Sequence, residues 1–207
     1  MKQIIILNGP PRSGKDELAK YLVSEHKHFY HMKFANELKK LAHRLYNTPD
    51  QAPDAYEAFK DQRLTEFMGL TPRQAYIALS ESYIKPYHGK EFFGLQLILT
   101  IKAVRHHDDN VFIISDGGFA EELEPLLKNF DPHLFTIVQL YRQGCTFDND
   151  SRHYFSAERF SKLGVKFLKL DNNDRDVETH VKEGEARLLE LIPGLYGEGV
   201  VNNVLNC

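Results

Sequence analysis

The chain has 207 residues, and 26 Lys and Arg stand against 29 Asp and Glu for a formal charge of −3. That length suits one domain with a full core, or one domain with a small lid. The charge balance gives no global basic signal, so any nucleic-acid contact has to be local, and no run of about 18 apolar residues is present to span a bilayer.

Lys2–Asn8 is an Ile-rich apolar run that reads as a buried central strand rather than a leader. The next eight residues, Gly9-Pro10-Pro11-Arg12-Ser13-Gly14-Lys15-Asp16, resemble a phosphate-binding loop with an unusual last letter. Gly14–Glu25 follows with Leu18, Ala19, Leu22 and Val23 on a helical stripe. A short strand is predicted over Tyr30–Phe34, then a helix from Asn36 to Tyr46, a break at Thr48–Pro53 and a helix over Asp54–Phe67. Thr71-Pro72-Arg73-Gln74 is a capping box with Pro in the first turn, and it starts a helix that runs to about Tyr83. Pro86–Gly89 reads as a loop and Glu91–His107 as a long helix.

Asn110–Ser115 is a second buried strand and Phe119–Asn129 a helix. Leu134–Tyr141 is a third central strand, followed by the polar, irregular Gly144–Tyr154. Val165–Leu170 and Asp176–Ile192 are the last strand and helix, and the tail after Pro193 is expected on the surface. Strands alternate with helices throughout. The expectation is an α/β fold: one P-loop NTPase-type domain over 1–207, a parallel sheet with helices on both faces, and a small lid at 142–160. Such sheets hold ligands at the C-terminal ends of their strands, which here carry Gly9, Asp116, Arg142 and Asn172.

The loop carries the chemistry. Glycines at 9 and 14 let backbone N–H groups turn inward, and the helix that follows points its positive end at phosphates. Lys15 would reach the β- and γ-phosphates of ATP. The usual loop ends in Ser or Thr, whose hydroxyl binds Mg²⁺; Asp16 replaces it, and a carboxylate also suits that hard cation. Asp116 closes an apolar strand and is a second metal residue or a base for an acceptor hydroxyl, set against a plain helix cap. Arg142, Arg152 and Arg159 lie in or beside the lid-length segment, where arginine clamps a transferring phosphoryl group. Arg73 is a further anion-contact candidate. Of the aromatics Phe59, Phe67, Tyr76, Tyr83, Tyr87, Phe92 and Phe93, some suit a base stack and most a core. Ten scattered histidines give no zinc spacing. Cys145 and Cys207 form neither a disulfide scaffold nor a metal-ligand pair, which points to a reducing cytoplasm.

Gly-x-x-x-Ser-Gly-Lys-Asp after a first strand, then "KFANELKKLA" and "TPRQAYIALSE", resembles the phage deoxynucleoside monophosphate kinases; the phosphomevalonate kinases share the Gly-Lys-Asp ending. The resemblance spans about residues 2 to 175 and is sharpest in the loop. It implies a kinase using ATP and magnesium, with no membrane partner. Residue by residue, it implies the loop for Gly9 and Arg12 to Asp16, an acceptor contact for Arg73, the strand-end carboxylate for Asp116 and lid cations for Arg142 and Arg152. Such kinases usually carry an arginine two residues after the strand-end Asp, where this chain has Gly118. A related branch phosphorylates the hydroxymethyl group of 5-hydroxymethyluracil in phage DNA, and a neutral alcohol needs no arginine cradle. On that argument, with Gly117 and Gly118 leaving room for a bulky acceptor, the DNA base is the first expectation and a deoxynucleoside monophosphate the second. Lys33, Lys39, Lys40 and Arg44 could then form a DNA patch, or a solvated face. A P-loop switch or regulatory ATPase is the non-kinase alternative, disfavoured by the absence of Asn-Lys-x-Asp.

Overall fold

The computed structural model describes residues 3–105, 107–148, 150–173, 176–192 and 194–195. Lys2, His106, the tail beyond 195 and Cys207 lie outside them. In chain order the elements are β1 (Gln3–Asn8), α1 (Lys15–Glu25), β2 (Phe29–Met32), α2 (Ala35–Leu45), α3 (Pro72–Leu79), α4 (Lys85–His88), α5 (Phe92–Ala103), β3 (Val111–Gly117), α6 (Ala120–Asn129), β4 (Phe135–Tyr141), α7 (Ala157–Ser161), β5 (Lys166–Asp171) and α8 (Val177–Leu191). The chain divides into two compact units. The first is Met1–Met32, Ile101–Ala120 and Phe130–Cys207; the second is Lys33–Thr100 and Glu121–Asn129.

The first unit holds one parallel sheet in the order β2-β3-β1-β4-β5, an α/β fold as the alternation of elements predicts. Every residue of β1 is buried, so both faces of the central strand are covered. Ile5, Leu7, Ile113, Val138 and Leu140 line the face where Leu18, Ala19 and Leu22 of α1 and Val181 and Leu188 of α8 pack. Burying each of these aliphatic side chains is worth about 1.5–3 kcal/mol. That packing fixes α1, and hence the loop before it, against the sheet.

β1 ends in a clamp. Asn8 is fully buried; its Nδ2 donates to the carbonyls of Gly117 (3.0 Å) and His153 (2.9 Å), and its Oδ1 accepts from the Phe155 amide (2.8 Å). One side chain therefore ties the end of β3 and the chain after the irregular segment to the central strand. Asn8→Ala leaves buried partners unpaired at about 1–3 kcal/mol each, so urea unfolding should show a loss on the order of 3 kcal/mol. A loss below about 0.5 kcal/mol, the level of an ordinary surface change, would remove the clamp from the account.

In the second unit Tyr56, Phe67 and Ala75 form a small core with Tyr46, Leu64, Leu70 and Tyr76. The helix expected over Asp54–Phe67 is instead a pair of short 3₁₀ turns, Glu57–Phe59 and Thr65–Phe67. Leu64 is extended (φ −122°, ψ 143°) and exchanges backbone hydrogen bonds with Gly69 and Leu70, which breaks any helix there; the chain then reverses at Met68 and Gly69, both at positive φ, and Phe67 is buried in the core. Pro86–Gly89 is not a loop: a π-helical turn, Ser80–Ile84, leads straight into α4. The wider turn accommodates Pro86, which has no N–H to give to an ordinary helical ladder. Of the aromatics, Phe67 and Phe93 are core, whereas Tyr83 and Tyr87 are exposed and lie against each other with centroids 5.3 Å apart.

Candidate functional site

The Gly9–Asp16 loop joins β1 to α1 inside the first unit. Pro10 and Pro11 have no N–H, so after Gly9 the loop's next backbone donor is Arg12. Arg12 (φ 65°) and Gly14 (φ 96°) are both left-handed, the alternation that folds successive amides toward one concave side. Gly14 is required twice over: for its φ, and because a Cβ there would lie 2.6 Å from His180 Nε2 and 2.7 Å from Asn172 Nδ2. Those same side chains hold the loop from behind. Asn172 donates to the Ser13 carbonyl (3.1 Å), and His180 Nε2 donates to the Gly14 carbonyl (3.3 Å). Of the strand-end residues, Asn172 thus supports the loop's backbone.

Lys15 is only 7% exposed. Its ammonium donates to the carbonyls of Gly9 (2.7 Å) and Pro10 (2.6 Å) and to Ser13 Oγ (3.3 Å). Burial, and then the positive Arg152, pull its pKa down to about 8, against the opposing pull of Asp16, Asp150 and Asp116. Below that value Lys15 is charged and meets an incoming phosphate without a proton change. Above it the free protein must take up a proton on binding, so ATP affinity should fall by up to about tenfold per pH unit. Calorimetry at about pH 9 in buffers of different ionisation enthalpy should register uptake approaching one proton, and no uptake would contradict this.

β3 delivers the second half of the site through an irregularity. Ile6 faces Ile114, but Asn8 faces Gly117, so β3 carries an extra residue just where Ser115 and Asp116 stand. Such a bulge re-aims side chains at a strand end. Ser115, buried, donates to Asp16 Oδ1 (2.6 Å), and His31 Nε2 lies 2.7 Å from Ser115 Oγ. Asp116 is half-buried and acts electrostatically on Lys15. Ser115 and His31 are site residues that sequence reasoning missed. An apolar run ending in Ser-Asp was the visible signal for Ser115; for His31, 84 residues earlier, there was none.

The two glycines after Asp116 do not leave room for an acceptor. A Cβ on Gly118 would lie 2.5 Å from Cβ of Arg152, and one on Gly117 would lie 2.4 Å from Ile6 Cγ2. The Arg152 stem fills the space over Gly118, so an arginine does occupy this place, brought from later in the chain. Its guanidinium forks onto Asp150, Nε to Oδ1 (2.9 Å) and the terminal nitrogen to Oδ2 (2.6 Å). Burial alone would raise the Asp150 carboxyl, but the hydrogen bonds and charge of Arg152 outweigh it and hold the group below the ordinary carboxylate range.

Arg142 reaches the loop as well, donating to the Arg12 carbonyl (3.1 Å). It borders a cavity of about 540 Å³ lined by Pro10, Tyr141, Phe147, Tyr154 and Asn173 among others. Tyr141 and Tyr154 stack there at 4.6 Å. Arg159 sits on α7 over the Phe160 ring. Arg73 belongs to the second unit and is ion-paired with Asp61 (2.7 Å). The proposed basic patch is altered in the same unit: Lys39 is buried and paired with Glu57 (2.9 Å), and Lys40 is paired with Glu37 (2.7 Å).

Magnesium is held by oxygen ligands, commonly one or two carboxylates completed by substrate phosphates. Asp16 and Asp116 fit that description. No cluster of three or more His, Cys, Asp or Glu suited to an all-protein metal cage occurs among the described residues. Asp16 and Asp116 are the residues that would hold the ion, which when bound would supply neutralisation of phosphate charge.

No protein-family model and no curated protein matches the chain. Among the solved structures similar to it are three kinases. An unliganded sugar kinase from Janibacter sp. HTCC2649 is 10% identical over 94% of this chain and 98% of that one, with a TM-score of 0.43. A thymidylate kinase from Candida albicans is 14% identical over 91% of each chain, with a TM-score of 0.42. A dephospho-CoA kinase from Campylobacter jejuni is 12% identical over 94% of this chain and 99% of that one, with a TM-score of 0.41.

Proposed function

We propose that the chain is a P-loop phosphotransferase that moves the γ-phosphoryl group of ATP to a nucleotide-class acceptor. The observation that carries this reading is the loop itself: left-handed turns at Arg12 and Gly14 around a buried Lys15, at the end of a central parallel strand and the start of α1. A buried lysine held on backbone carbonyls has little structural purpose; it is a cation kept for an anion. Backbone amides of Arg12 and of Gly14 to Asp16 cradle the phosphates, and Lys15 turns from the carbonyls to the β- and γ-phosphates. The cavity beside Pro10, with its stacked tyrosines, has the size and lining for a purine. Its two cysteines and the absence, among the described residues, of a helix able to cross a membrane accord with a cytoplasmic kinase.

The acceptor reading turns on Arg152. With its stem over Gly118 it can supply the positive charge that an anionic acceptor demands, and Gly117 and Gly118 offer no extra space. A deoxynucleoside monophosphate is therefore the favoured acceptor. The half-buried carboxylate of Asp116 keeps a second reading in play, transfer to the hydroxymethyl group of 5-hydroxymethyluracil in DNA. In that case the alcohol oxygen bonds to the γ-phosphorus, the bond to the β-phosphate oxygen breaks, and the alcohol proton goes to Asp116.

The test is transfer of labelled γ-phosphate to free deoxynucleotides and, separately, to DNA containing hydroxymethyluracil. Label on neither, with slow release of inorganic phosphate, would leave a P-loop ATPase. Arg152→Met keeps the stem over Gly118 and removes the charge. For a monophosphate it should raise the acceptor KM about 10- to 100-fold and leave the KM for ATP within about threefold.

A further inference from the structure

Three elements meet at Asp16 in a chain of hydrogen bonds that the loop motif does not explain. Asp16 stands in the first turn of α1, Ser115 at the end of β3 and His31 near the end of β2. His31 pairs in register with Ile113, so His31 and Ser115 stand on the same face of neighbouring strands as α1. The proton positions follow from valence. A serine hydroxyl has one hydrogen, and Ser115 gives it to Asp16 Oδ1 at 2.6 Å. The contact of 2.7 Å between His31 Nε2 and Ser115 Oγ must then be a donation from the ring N–H. The order is fixed: His31 to Ser115 to Asp16.

We propose that Ser115 and His31 are positioning residues that complete a magnesium site built around Asp16. In the common loop a Ser or Thr hydroxyl stands where Asp16 does, on a short side chain with little freedom. An aspartate is longer and has more rotamers. The side chain of Asp16 is 50% exposed, so packing does little to aim it and a directed bond does more. Ser115 supplies that bond. His31, whose ring side chain is 22% exposed, fixes the hydroxyl rotor of Ser115 so that its hydrogen faces the carboxylate. A preorganised ligand binds more tightly because it loses less freedom on binding, and partners behind a metal ligand typically change affinity by about 10- to 100-fold. The chain has thus moved the loop's hydroxyl from position 16 to the neighbouring strand and used it as a strut.

This inference rests on the phosphate-loop reading, and its test separates the two. Calorimetry with a non-hydrolysable ATP analogue, with and without Mg²⁺, gives the gain in affinity due to the metal. Titration of Mn²⁺ into the analogue complex, followed by its paramagnetic signal, reads the metal directly. Ser115→Ala should weaken metal binding in the complex by about tenfold or more while leaving metal-free analogue affinity within about twofold. His31→Leu removes the donor and should act in the same direction. His31→Gln, which retains an N–H donor, should recover most of the loss. A merely structural role would lower both affinities together, with no recovery by Gln. An unchanged metal increment in folded Ser115→Ala or His31→Leu protein overturns the proposal and leaves the loop reading standing. No analogue binding by the wild type, with or without metal, overturns both.

Discussion

Replacing Lys15 with alanine is expected to lower phosphoryl transfer by at least about 10³-fold, on the order of 4 kcal/mol of transition-state stabilisation. The charge it removes sits where negative charge spreads during transfer, and no neighbour replaces it: Arg152 stands over Gly118, where it is assigned to the acceptor, and Arg142 donates to the Arg12 carbonyl. Stability should move far less, because opposite effects meet. The carbonyls of Gly9 and Pro10 lose a donor, while the folded state is relieved of a cation whose pKa burial has already drawn down to about 8. A net change of about 1 kcal/mol shifts Tm by roughly 2–4 °C in a chain of this size. Transfer and melting temperature should be measured on one preparation. Activity within about tenfold of wild type at unchanged Tm would defeat the phosphate-loop reading.

The central strands were legible because they are buried on both faces and read as largely apolar runs, as in Val111–Ile114 and in Phe135–Leu140, where Thr136 and Gln139 are the polar members. The capping box at Thr71 was legible for a different reason: it is wholly local, and the Thr71–Gln74 exchange is present as expected. Asp54–Phe67 misled for a tertiary reason. A helix over these residues is broken at the extended Leu64, and the chain gains more by reversing at Met68 and Gly69 and burying Phe67. Local propensity amounts to tenths of a kcal/mol per residue, and burying one aromatic exceeds that over several residues.

The same distinction divides the site. Gly9 to Asp16 could be read because eight consecutive residues carry the whole device. The supports could not. Asn172 and His180 reach the loop from 159 and 166 residues away, and Asn8 reaches Phe155 across 147. Gly118 is the instructive case. Its identity suggested an open space and a missing arginine, yet a glycine can equally mark the close approach of another chain segment. Arg152 makes that approach, 34 positions later, and only coordinates distinguish the two meanings.

Asp116→Asn is the substitution that separates the two acceptor readings. The amide keeps the size and a weak oxygen ligand but removes the carboxylate's charge and its ability to take a proton. An alcohol acceptor must lose its proton as its oxygen attacks, and losing a positioned base costs about 10²- to 10⁴-fold in rate. More magnesium does not restore a base. A monophosphate acceptor is already ionised near neutral pH and needs none, so there the loss should reflect weakened metal binding and should largely recover as magnesium is raised. ATP affinity in the absence of metal should change little in either case, since the loop runs from β1 into α1 and Lys15 is on α1 rather than β3. The measurement is the initial rate of the Asn variant against magnesium concentration, with each acceptor in turn. Given Arg152 over Gly118, the expected result is transfer to the monophosphate, with rescue. A deficit that no magnesium concentration repairs, on hydroxymethyluracil DNA that the wild type does phosphorylate, would make Asp116 the base and transfer the assignment to DNA.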